Sequence, residues 1–204
     1  MLGTGKEIGG IDVVDFKPAM NKYLVTEIET LKKLNLQELN GAINAILDAR
    51  DRGGTIYTMG NGGSAATASH MVCDFAKGAS ENLGGKKFLF ECLCDNTAII
   101  MAIGNDISYD EVFSFQLEKK LTPEDLIIAI SGSGNSSNVI HAVEYAKSIG
   151  TPVVGITGYS GGKLKGLADY IMHVDINDMQ VAEDVHMMFD HMMLRVLSDT
   201  KIET

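Results

Sequence analysis

The chain has 204 residues, enough for one domain with a sizeable core. Hydrophobic residues make up 45% and charged residues 22%, an ordinary balance for a soluble globular fold. With 17 Lys and Arg against 27 Asp and Glu the formal charge is −10, which argues against nucleic acid or an anionic membrane as partner, because both attract basic surfaces.

The first residues, Met1-Leu2-Gly3-Thr4-Gly5, lack the basic start and apolar stretch of a signal peptide. No apolar run approaches the ~20 residues of a membrane span. Cys73, Cys92 and Cys94 are odd in number and offer no disulfide framework. A reducing cytoplasm is the expected location. Met20, Leu24, Ile28 and Leu31 then recur at helical spacing, followed by Leu36, Leu39, Ile43, Ile46 and Leu47. Two amphipathic helices are expected, closed by Gly53-Gly54, so residues 1–53 read as a helical segment and 54–204 as the main domain.

Apolar runs follow at Thr55–Met59, Phe88–Leu93, Leu126–Ile130, Val153–Ile156 and Tyr170–Val174. Helical stretches separate them at about 64–77, 97–119, 136–149 and 179–199. Buried strands alternating with helices specify an α/β domain, an open parallel sheet flanked by helices in three layers. Cys92 and Cys94 fall in the second run and read as small buried strand residues.

Two loops break this pattern with unusual chemistry. Gly60-Asn61-Gly62-Gly63-Ser64 follows the first strand, and Ser131-Gly132-Ser133-Gly134-Asn135-Ser136 follows the third. Both lie where ligands bind an open parallel sheet, outside the carboxyl ends of its strands. Each opens a helix, so free amides and the positive dipole end face whatever enters. Phosphate is the natural occupant. A dinucleotide reading of Gly60-x-Gly62-x-x-Ala65 lacks the acidic residue about 20 positions on. Gly162-Lys163 is followed by Leu164, which rules out a Walker A loop. No nucleotide cofactor is expected.

His70 and Asp74 stand four apart on the helix opened by the first loop and so share a face. The last helix is apolar nearly all round, with Val181, Val185, Met187, Met188, Met192, Met193, Leu194 and Val196, which suggests burial at a subunit interface. It also carries Glu183, Asp184, His186, Asp190 and His191. Buried charge must be paired or ligated. Glu183 and His191 lie roughly 12 Å apart along such a helix, so two subunits would be needed to bring both to one small ligand.

These motifs, with Gly104-Asn105-Asp106 and Thr157-Gly158-Tyr159-Ser160-Gly161-Gly162-Lys163-Leu164, resemble the sugar isomerase (SIS) domain. Within that superfamily residues 17–199 are most similar to the phosphoheptose isomerases. The resemblance implies that Ser64, Ser131, Ser133 and Ser136 hold phosphate, together with Gly62, Gly63 and Gly132 of the two loops. It puts Asn61 and Asp95, or Asn96 in its place, on the sugar and Glu183 at the substrate. The acid/base pair falls on Asp74 and His191, and a metal set on His70, Asp74, Glu183 and His191, which suits zinc or another divalent ion. A homotetramer with active sites between subunits is also implied.

Three positions depart from the family pattern: Asp74 replaces the usual Glu, Glu183 the usual Gln, and Gly132 a hydroxyl residue. The expected function is aldose–ketose isomerisation of a sugar phosphate, sedoheptulose 7-phosphate to a heptose 7-phosphate. The alternative is a non-catalytic SIS tetramer that senses or scaffolds. The ionisable Asp74, Glu183 and His191 favour the enzyme.

Overall fold

A computed structural model describes residues 14–80 and 86–199; the first residues weighed for a leader lie outside them. The described residues fall into two compact units that divide between Lys33 and Leu34. In the first unit, helix α1 (Lys17–Leu31) starts with a proline in its first turn, where the missing N–H costs nothing. Thr26 and Thr30 donate their hydroxyls back to the carbonyls four residues earlier.

The second unit begins with α2 (Leu36–Arg52). Asn35 caps it by accepting from the amides of Gln37 and Glu38, and Gly53 ends it in the left-handed conformation at φ +81°. This helix packs on the sheet inside the larger unit. The helical segment expected over 1–53 is therefore divided between the two units.

Five strands form one parallel sheet: β1 (Thr55–Met59), β2 (Leu89–Cys92), β3 (Leu126–Ser131), β4 (Val153–Thr157) and β5 (Tyr170–His173). Their spatial order is β2-β1-β3-β4-β5. Every residue of β3 and β4 is buried, whereas β2 and β5 are partly exposed. Uninterrupted Leu-Ile-Ile-Ala-Ile and Val-Val-Gly-Ile suit central strands covered on both faces.

The helices of the larger unit continue with α3 (Gly63–Cys73), α4 (Thr97–Asp106), α5 (Ser114–Leu117), α6 (Ser137–Ile149), α7 (Gly162–Leu167) and α8 (Met179–Asp199). The single helix expected over 97–119 is broken. Ile107 leaves helical geometry, and the Ser108 side chain caps a 3₁₀ turn at Tyr109–Glu111. The helix expected to reach residue 77 changes at Asp74 into a π-helical turn, Asp74–Ala79. Among the described residues no helix is long and apolar enough to cross a membrane.

Candidate functional site

The sheet order places β1 beside β3, and the chain leaves β1 for β2 on one side and continues from β3 to β4 on the other. This is the topological switch point, where a crevice opens at the carboxyl ends of the strands. Both glycine- and serine-rich loops therefore meet at one place. A reciprocal amide pair ties them: Asn61 Nδ2 donates to Asn138 Oδ1, and Asn138 Nδ2 donates to Asn61 Oδ1, each at 2.9 Å. Tyr109 adds a hydroxyl bond to the same Asn61 oxygen at 2.9 Å. The Asn61 side chain, expected at the sugar, is thus engaged in joining the loops.

The second loop is built as a cradle. Ser131 and Ser136 hydroxyls lie 3.0 Å apart, and Ser131 Oγ accepts from the Gly134 amide at 3.1 Å. Ser133 is exposed at the rim. The loop is clamped from outside by Gly158 N–H to Gly132 O and Leu164 N–H to Gly134 O. Ser136 stands at the N-cap of α6 without using its side chain as a cap. By contrast, Asn35 and Asn96 cap α2 and α4. The Asn138 side chain satisfies the Val139 amide. The opening turn of α6 otherwise faces the cradle, a geometry that suits an anion.

The first loop differs. The amides of Ser64 and Ala65 are taken by the carbonyls of Asn61 and Gly62, and Ser64 is buried. The Glu183 carboxylate packs against Gly63, where a Cβ would meet its Oε2 at 2.6 Å. A carboxylate at the start of α3 complements that helix dipole. Gly63 therefore accommodates Glu183 and Gly132 accommodates Met179, whose Sδ a Cβ would meet at 2.7 Å. The opening turns of α8 cover both loops.

Asp95 is exposed beyond the end of β2 and lines, with Asn96, Gln116 and Lys120, a cavity of about 780 Å³. The Asn96 oxygen already accepts from the Ile99 amide at 3.2 Å, so of the two side chains expected there Asp95 is the one not used as a helix cap.

Two turns further along, α8 packs against α3 and its π turn. Here one ligand atom each of His70, Asp74, Asp190 and His191 lies within 4.8 Å of the others. The two Nε2 atoms of His70 and His191 are 3.2 Å apart, with the rings at 78°. His70 Nε2 stands 3.6 Å from Asp74 Oδ1 and 3.9 Å from Asp190 Oδ2. A π turn re-aims side chains and recurs at functional sites; Asp74 opens this one. The cluster brings together His70, Asp74 and His191 of the four expected ligands. Glu183 of the same chain is not in it. Its place is beside Gly63, because the helix carries residues 183 and 191 roughly 12 Å apart.

Asp190 joins His70, Asp74 and His191 as a fourth candidate donor that sequence does not single out, because it is one of several acidic residues on α8 and only the packing of α8 against α3 decides which of them meets His70. The Asp190 side chain is fully buried and neither oxygen has a hydrogen-bond partner. Burial, and then the charge of Asp74, push its carboxyl up to about 7. Such an orphaned carboxylate among imidazoles is what a divalent cation satisfies, and two nitrogens with two oxygens form a suitable donor set. The residues fit a metal.

A family model described as SIS domain matches residues 21–158, and the chain belongs to this family. It is 37% identical over 178 residues to the probable phosphoheptose isomerase of Thermoplasma acidophilum, spanning 87% of this chain and 97% of that protein. It is 34% identical over 186 residues to the phosphoheptose isomerase of Aliarcobacter butzleri, spanning 90% and 97%. The solved structure of phosphoheptose isomerase from Neisseria gonorrhoeae matches with a TM-score of 0.83 at 26% identity, covering 91% of this chain and 100% of that one. Within the SIS family the chain stands with the phosphoheptose isomerases, which are isomerase enzymes.

Proposed function

We propose that the protein interconverts sedoheptulose 7-phosphate and a heptose 7-phosphate, with the phosphate in the second loop and the reacting carbons at the cluster. The observation that carries this reading is the meeting of Asp74 and His191, from two different helices, within 4.8 Å, in a chain that also presents a serine cradle. The phosphate would accept from the opening amides of α6 and the hydroxyls of Ser131, Ser133 and Ser136. Binding at this remote end holds the sugar in register and supplies positioning energy. Asp95, exposed beyond the end of β2, would meet a sugar hydroxyl.

Isomerisation needs no external oxidant. A base removes the proton from C1 of the ketose, the C1–C2 double bond of an enediol forms, and a proton is delivered to C2. The hydroxyl proton moves from O1 to O2 in the same sequence. Asp74 and His191 serve as the acid/base pair for these transfers. A divalent ion held by His70, Asp74 and His191, zinc by the nature of the donors, would polarise the carbonyl oxygen.

The working assembly is a homotetramer with sites between subunits. The partly exposed Met187, Met188, Met192 and Leu194 of α8, with exposed Val196, support it, as does the separation of Glu183 from His191 on one helix. Turnover of sedoheptulose 7-phosphate, followed with and without added zinc, tests the reading. Asp74→Asn and His191→Ala should each lower kcat/KM by about 10²-fold or more. Wild-type protein as inactive as these variants would instead make the chain a binding or scaffolding member of its family.

A further inference from the structure

Building on the metal reading above, we propose that Asp190, and not Glu183, supplies the fourth donor of the cation centre. One chain then completes the centre alone, with His70, Asp74, Asp190 and His191. Two donors on one tetrahedral zinc ion, each at about 2.0–2.1 Å, stand roughly 3.3 Å apart. The separations around His70 Nε2 are 3.2 Å to His191, 3.6 Å to Asp74 and 3.9 Å to Asp190. These three separations lie near that value, and all four donors lie within 4.8 Å of one another.

Asp190 has 0% exposure and no hydrogen bond to either oxygen. Buried polar atoms are nearly always partnered, and an orphaned carboxylate needs a compensating positive charge. A proton shared between the two histidines would explain their 3.2 Å contact but would leave Asp190 as it is. A cation explains both observations at once.

Glu183 has another occupation. Its carboxylate sits against Gly63 at the start of α3, a favourable place for an anion. It is half-buried there and needs no metal. The change from the usual amide at this position therefore alters the loop end of the site, while Asp190 sets the charge of the metal end.

Zinc affinity of the metal-free, assembled protein, measured by competition with a chromophoric chelator in the absence of substrate, tests this. Wild type should take up one ion per chain. Asp190→Asn and His70→Ala should each weaken binding at least about tenfold, while Glu183→Gln stays within about twofold of wild type. Asp190→Glu, which keeps the charge and moves it by one methylene, should bind with an altered cobalt(II) absorption spectrum. Circular dichroism and melting curves establish that each variant is folded. Wild-type affinity in Asp190→Asn, weakened affinity in Glu183→Gln, or no zinc uptake by wild type would each overturn the assignment. Asp190-dependent binding without turnover would sink the isomerase reading alone. Turnover with Asp190-independent binding would sink this assignment alone.

Discussion

His186 is a buried imidazole on α8 with 1% exposure, and neither ring nitrogen has a hydrogen-bond partner. Burial is the main cause that pulls it down from 6.5 to about 4; nearby Thr157 backbone opposes this weakly, and His173 on β5 reinforces it. In the unfolded chain the same residue takes a proton below 6.5, while the folded chain refuses one until about 4. The unfolded state thus binds more protons across this window, so stability is full above pH 6.5 and falls as the pH drops toward 4. The loss from this residue is on the order of 3 kcal/mol. Asp190, raised rather than lowered, works in the opposite direction, so the comparison must be between proteins differing at His186 alone. Urea unfolding of metal-free wild type and His186→Phe between pH 4 and 7 makes it. Between pH 7 and 4 the variant should lose less stability than wild type, whatever its absolute stability, and equal slopes would refute the assignment.

At the scale of the element, the second loop is held from both sides. Gly134 has φ +68°, and a Cβ there would lie 1.9 Å from the Gly161 carbonyl oxygen. Neither the backbone conformation nor the space tolerates a side chain. Gly134→Ala should cost more than about 2 kcal/mol, seen as a lower urea midpoint with unchanged slope, and should raise KM by deforming the cradle. The elements were legible to different depths. Central strands such as Leu126–Ser131 read almost to the residue, because continuous apolar runs bounded by turn residues leave little freedom. The stretch 97–119 did not, because its breaks at Ile107 and Ser108 depend on local capping that apolar periodicity does not register. At the site, loop composition announced the serine cradle. The choice between Glu183 and Asp190 was invisible, since it depends on how α8 lies against α3: Glu183 meets Gly63 and the next two turns meet His70.

At the scale of the whole molecule, one chain joins Asp74 to His191, while the proposed tetramer brings a neighbour's loop to that pair. These two statements make opposite demands on mixed assemblies. Asp74→Asn and His191→Ala damage the same cluster, so every cluster in a tetramer mixed from the two carries a lesion. Remixing them after dissociation should restore no activity. Asp74→Asn mixed with a Ser131→Ala, Ser136→Ala variant behaves differently if cluster and cradle come from separate chains. About a quarter of the sites in an even mixture then combine an intact cluster with an intact cradle, because each site draws its two halves independently from two chains. The expected outcome is recovery in the second mixture and none in the first, with sedimentation velocity verifying that both mixtures reassemble. Recovery in neither, from reassembled protein, would place cradle and cluster of each working site in one chain. The span along α8 from Glu183 to His191 would then have to be bridged by the extended sugar phosphate itself.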